Sequence, residues 1–161
     1  MFFNSSLQNQ AKKILQTLES KNQKLATAES CTGGLLSALF TEISGSSKTF
    51  DRGFVTYSNQ AKIEMLGVKK ETLEKFGAVS EEAAHEMAIG AIKNSQADIA
   101  IAITGIAGPE GGSLEKPVGL VYIVVNDSVR KFIFSGDRGE VRKSSLIAAL
   151  QMLEISTRTH S

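Results

Sequence analysis

Asp98-Ile-Ala-Ile-Ala-Ile-Thr104 constrains the fold more than any other stretch. Between Asp98 and Thr104 it is apolar with no polar alternation, the pattern of a strand covered on both faces. Such a strand needs helices above and below its sheet. The chain supplies them. Leu7, Ala11, Ile14, Leu15 and Leu18 form one stripe of a 3.6-residue period between Ser5 and about Asn22. A helix opening at Ser80 carries Ala83, Ala84, Met87, Ala88, Ala91 and Ile92, a narrow stripe of small residues suited to close packing on a sheet. Leu146, Ala149, Leu150 and Leu153 give the buried face of a last helix. Asp137 caps it, with Glu140 three residues on completing a capping box. Shorter helices are expected from Thr32 to Glu42, from an Asn59 cap to Leu66, and from Lys70 to Phe76. Strands are expected at Leu25–Glu29, Phe50–Ser58, Val118–Val125 and Val129–Phe134. The last two flank a tight turn at Asn126-Asp127 and form a hairpin. The expected fold is α/β, a three-layer α/β/α sandwich with a mixed sheet including one antiparallel hairpin. Residues 1–161 are expected to make a single domain.

Composition excludes several function classes. Eighteen basic residues balance 17 acidic ones to a net charge of +1, against a dedicated binder of nucleic acid or membrane surface. No apolar run approaches the roughly 20 residues of a membrane span. Met1 to Ser6 lacks the basic start and long apolar run of a signal peptide. One cysteine rules out an internal disulfide and fits a cytoplasmic protein. With two histidines and one cysteine, neither a three-histidine metal site nor a Cys-x-x-Cys pair can be built, and no metal is expected. A Ser-His-Asp triad would have to use His85, which lies beside a packing stripe, or His160, next to the chain end. A hydrolase of this composition is expected to use another base.

Two glycine-containing segments follow strands. Glu29-Ser-Cys-Thr-Gly-Gly34 leads from a strand into an apolar helical run, a geometry that aims free N–H groups at an anion or a polarised carbonyl. An ordinary strand–helix corner capped by Ser30 or Thr32 accounts for the same residues. Gly105-Ile-Ala-Gly-Pro-Glu-Gly-Gly112 lacks both G-x-x-x-x-G-K-[ST] and G-x-G-x-x-G, so a nucleoside-triphosphate site is not expected there. It can wall a small ligand or simply connect two strands. Candidate nucleophiles are Ser30, Ser46, Ser47 and Ser58, with Cys31 a competitor at a helix start. Where histidine is scarce, a lysine of lowered pKa is the natural base. Lys62, on the first turn of a helix just past a strand, is placed for a lowered value by partial burial and the helix N-terminus, although most such lysines are merely exposed.

Six motifs occur in order. They are Thr27-Ala-Glu-Ser-Cys-Thr-Gly-Gly34, Gly53-Phe-Val-Thr-Tyr-Ser-Asn59 with Lys62, Gly77-Ala-Val-Ser80, Thr104-Gly-Ile-Ala-Gly-Pro-Glu-Gly-Gly112, Lys116-Pro-Val-Gly119, and Phe134-Ser-Gly-Asp-Arg138 with Arg142. Together they resemble the CinA carboxy-terminal domain family over essentially the whole chain, in the form of its stand-alone nicotinamide-nucleotide amidases. The resemblance implies hydrolysis of the carboxamide of nicotinamide mononucleotide to nicotinate mononucleotide and ammonia, in pyridine-nucleotide salvage. It implies a Ser-Lys pair, with the nucleophile on Ser47, the base on Lys62 and Tyr57 beside them. Ser30, in the stronger local motif, is the alternative nucleophile. Ser30, Thr32, Gly33, Thr104, Gly105 and Arg142 fall on substrate-binding positions, with Arg142 or the helix start near Gly33 holding the phosphate. No cofactor is expected. The expected partners are a small-molecule nucleotide and further copies of the chain, with no nucleic acid and no membrane. The rival expectation is a non-catalytic nucleotide-binding or interaction module linked to competence or DNA-damage responses.

Overall fold

Ile99, Ile101 and Ile103 of β3 (Ile99–Gly105) turn to one side of the sheet, and Ala100 and Ala102 to the other. That alternation sets the layering. The computed structural model describes residues 2–159. The sheet also contains β1 (Leu25–Glu29), β2 (Phe50–Val55), β4 (Leu120–Val125) and β5 (Ser128–Ile133), in the order β2-β1-β3-β4-β5. β1 runs parallel to both β2 and β3. β3–β4 and β4–β5 are antiparallel. The expected hairpin is therefore β4–β5, turning at Asn126 with φ +56°. The glycine loop adds a second antiparallel connection, between β3 and β4.

The isoleucine side packs under α1 (Ser5–Ser20), α2 (Leu35–Thr41) and α6 (Arg138–Thr159). The alanine side packs under α3 (Asn59–Leu66), α4 (Lys70–Phe76) and α5 (Glu81–Lys93). Large residues on one face and small ones on the other let α5 lie close, with Ala83, Ala84, Ala88 and Ala91 buried against Ala26, Ala28, Ala100 and Ala102. The three-layer sandwich read from the sequence is the observed architecture. No helix among the described residues is long and apolar enough to cross a membrane.

Local differences have local causes. The second helix begins at Leu35 rather than Thr32, because Gly33 and Gly34 adopt φ +59° and +97° to reverse the chain first. Ser58 rather than Asn59 caps α3, its hydroxyl accepting from Ala61 N at 3.0 Å. At α6 the capping box forms: Asp137 N donates to Glu140 Oε2 at 2.7 Å, and Glu140 N to Asp137 Oδ1 at 2.9 Å. His85 lies on α5, 3.9 Å from the Glu81 carboxylate, and His160 lies outside the described residues.

Gly90 fixes how closely α3 meets α5. A Cβ there would sit 1.9 Å from the Leu66 carbonyl oxygen, a backbone atom that cannot rotate away. Gly90→Ala is expected to lower unfolding free energy by about 2 kcal/mol through overpacking, despite alanine's better helix propensity. Urea unfolding checks this, and an unchanged midpoint would mean that α3 moves freely.

Candidate active site

The alternation of β1 continues past its last residue and splits two functional groups between the layers. Glu29 turns toward α2, and Ser30 toward α3. Glu29 is fully buried. Its Oε1 accepts from Thr32 Oγ1 at 2.7 Å and Leu36 N at 2.9 Å, and its Oε2 from Ser37 N at 3.0 Å and Ser37 Oγ at 2.8 Å. The N-terminal donors of α2 are thus filled by the chain's own carboxylate. The cap occupies the donors with which the helix start near Gly33 was expected to hold a substrate anion. An acid at the end of the strand that leads into the helix was the available signal.

On the other face, Lys62 reaches from the first turn of α3 into the end of the sheet. Its side chain is 1% exposed, against the usual tendency of helix lysines. Its Nζ donates to Ser30 Oγ at 3.1 Å, Thr56 O at 2.9 Å and Tyr57 O at 3.3 Å. No carboxylate pairs with it among the described residues. Burial pushes its pKa below the ordinary lysine value of 10.5. Beside it, Thr56 Oγ1 is buried and has no hydrogen-bond partner among the described residues. A buried unpaired hydroxyl is costly unless an incoming polar group satisfies it.

Ser30 is held from both sides. Its N donates to Ile103 O at 3.0 Å, and its carbonyl accepts from Gly33 N at 3.0 Å. The next two N–H groups, of Cys31 and Thr32, reach no acceptor of another residue among those described. Arg142, on α6, clamps the same turn. Its Nε donates to Cys31 O and its Nη2 to Thr32 O, each at 3.2 Å. Burial pushes the Cys31 thiol up to about 11, so it remains a thiol at neutral pH and is a poor nucleophile.

The remaining positions are placed as follows. Thr104 is buried at the end of β3, its hydroxyl donating to Ala78 O at 2.8 Å. Gly105 packs inward, where a Cβ would come within 3.2 Å of Cys31 Sγ and 2.9 Å of Leu120 O, so its close approach is to the protein's own core. Tyr57 offers its backbone to Lys62, while its side chain is 63% exposed and its Oη accepts from Arg138 Nη2 at 2.9 Å. Arg138 also donates from Nη1 to Gly108 O at 2.9 Å. It ends the Phe134-Ser-Gly-Asp-Arg138 motif.

Ser47 is not brought to Lys62 within the chain. It lies exposed in a short turn, Ser46–Lys48, before β2. Thr49 O accepts from Leu25 N at the start of β1, whereas Ser30 follows the end of β1. Five residues at about 3.3 Å each put roughly 15 Å between those ends. Within the chain Lys62 therefore meets Ser30 and not Ser47: β2 carries the chain from one end of the sheet to the other between residues 47 and 62. Ser58 is engaged as the α3 cap.

Known proteins resemble the chain in both sequence and structure. The CinA C-terminal domain profile matches residues 7–157. The nicotinamide-nucleotide amidohydrolase PncC of Escherichia coli K12 is 49% identical over 154 residues, covering 92% of this chain and 93% of that protein. A CinA-like protein of Kosmotoga olearia is 49% identical over 144 residues, which cover 87% of this chain but 35% of the longer protein. The crystal structure of the competence/damage inducible protein CihA from Agrobacterium tumefaciens superposes with a TM-score of 0.91 at 46% identity, over 98% of this chain and 99% of that one. With sequence and structure agreeing from the first helix to the last, the chain belongs to the CinA C-terminal domain family.

Proposed function

We propose that the protein hydrolyses the carboxamide of nicotinamide mononucleotide to nicotinate mononucleotide and ammonia, as a cytoplasmic enzyme of pyridine-nucleotide salvage with no cofactor. The observation that carries the chemistry is Lys62 Nζ, buried without a counter-ion among the described residues, at 3.1 Å from Ser30 Oγ. The names of the amidohydrolase relatives supply the substrate. Ser30 Oγ attacks the carboxamide carbon while neutral Lys62 takes its proton. The oxyanion is met by the N–H groups of Cys31 and Thr32. The C–N bond then breaks, and the proton on Lys62 passes to the leaving nitrogen, which departs as ammonia. Water next gives a proton to Lys62 and attacks the acyl carbon. Ser30 Oγ leaves and recovers that proton. Arg142 holds the turn that presents Ser30 and the two donors.

The purified protein is expected to release one ammonia per nicotinate mononucleotide formed, read by a coupled ammonia assay and by chromatography of the nucleotide. Saturable binding without turnover would support the rival, a non-catalytic nucleotide-binding module.

A second reading keeps Ser47 as the nucleophile and takes it from another copy of the chain. What favours it is the outer edge of β2: the strand has β1 on one side only, with Ser47 before it and Lys62 after it. Two copies paired antiparallel along β2 would bring Ser47 of each to Lys62 of the other. The homo-oligomer expected from the resemblance would then be required for catalysis.

A further inference from the structure

Resting on the proposed nucleotide substrate, we infer that Arg138 recognises its phosphate, exchanging a strap across the site's rim for the anion. Three features of the rim lead to it. The N-terminal donors of α2, which otherwise suit an anion, are occupied by Glu29. Arg142 is engaged with the Cys31 and Thr32 carbonyls, and its guanidinium lies close over Gly33, so its place is fixed by the turn it clamps. Arg138, one helical turn earlier on α6, is held differently. Its two terminal nitrogens donate to the Gly108 carbonyl and the Tyr57 phenol, both neutral acceptors. It makes no ion pair among the described residues.

Both acceptors belong to the walls of the site. Tyr57 gives its backbone carbonyl to Lys62, and Gly108 lies in the glycine loop that follows β3. A guanidinium fork that bridges a phenol and a carbonyl presents the same two donors that bind a phosphate bidentately. Replacing two neutral acceptors by a dianion converts ordinary hydrogen bonds into charge-assisted ones. It also releases Tyr57 and the glycine loop to settle on the ribose. The phosphate lies a ribose away from the carboxamide. Arg138 lies one tyrosine side chain away from the carbonyl that holds Lys62.

The test compares nicotinamide mononucleotide with nicotinamide riboside, which keeps the carboxamide and lacks the phosphate. The readout is the ratio of their kcat/KM values in wild type, Arg138→Ala and Arg138→Gln. Glutamine keeps a polar side chain without the charge, and because its amide stops short of both strap acceptors, loss of the strap is read from the riboside, which lacks the phosphate but shares the rest of the site. Loss of a charge-assisted contact should lower the nucleotide-to-riboside ratio by about 10- to 100-fold in both variants. Inorganic phosphate should compete with the nucleotide in wild type and compete much less in either variant. An unchanged ratio, whether both substrates suffer equally or neither does, overturns the inference. If the wild type releases no ammonia, the proposed activity fails. The inference is then read from calorimetric binding of the same two ligands to the same three proteins, with the same change of ratio expected.

Discussion

Ser30→Ala will abolish ammonia release, by at least about 1,000-fold in kcat, while Ser47→Ala will stay within about threefold of wild type. The expectation rests on reach. A base must lie within hydrogen-bond distance of the proton it removes, and Lys62 Nζ meets that condition for Ser30 Oγ at 3.1 Å. Ser47, exposed at the opposite end of β2, does not meet it within one chain. Ser30→Ala removes one oxygen from a buried position whose backbone bonds remain, so the fold and nucleotide binding should persist. Retained binding with lost turnover separates a missing nucleophile from a collapsed site. The acyl-enzyme gives a second readout: mass spectrometry of acid-quenched wild type should place the added acyl mass on the peptide containing Ser30.

The reverse result would identify the other architecture. If Ser47→Ala is inactive and Ser30→Ala is near wild type, the nucleophile comes from a second copy. Mixing inactive Ser47→Ala with inactive Lys62→Met would then restore activity, because each mixed dimer holds one site with both groups intact. Random pairing of equal amounts predicts recovery of up to about a quarter of wild-type activity. If Ser30 and Lys62 act within one chain, Ser47→Ala is itself active, and mixing inactive Ser30→Ala with inactive Lys62→Met restores nothing.

The layers of the fold were legible because they follow from periodicity. Ile99 to Ile103 demanded cover on both faces, and the stripes on α1, α5 and α6 provided it. What a period cannot carry is the direction in which a chain leaves its last turn. Thr32 looked like a helical residue until two left-handed glycines intervened. Glu29 looked like a neighbour of Ser30, yet alternation turned it under α2, where it takes the helix-start donors that the motif offered to an anion. Lys62 was expected as the base where histidine is scarce, and the fold buries it against Ser30. The resemblance put the nucleophile on Ser47, but resemblance supplies roles and not distances. Strand order supplies the distance. In a parallel pair the functional groups gather beyond the carboxyl ends of the strands, and Ser47 precedes its strand whereas Ser30 and Lys62 follow theirs.

For Lys62 the expected result is a rise of kcat/KM with pH, along a single limb whose midpoint lies below 10.5, and a loss of at least about 1,000-fold in both Lys62→Met and Lys62→Arg. Arginine keeps the charge but cannot give up its proton in this range, so its failure would assign Lys62 to proton transfer rather than to electrostatics. The pKa is lowered by burial, which penalises the ammonium form. The same shift appears in stability, with its sign set by linkage. As pH falls below 10.5, the unfolded chain takes up the proton before the folded one does. The unfolded state therefore binds more protons across the window between the lowered folded value and 10.5, and stability rises with pH there. Below the folded value both states are protonated, and the penalty is constant. Lys62→Met has no such group, so the difference in unfolding free energy between it and wild type should change across that window and flatten below it, every other titrating group being common to both. Urea unfolding from pH 6 to pH 10 reads the difference. A difference that is flat throughout, with a pH–rate limb at or above 10.5, would show that Lys62 stays protonated and cannot be the base.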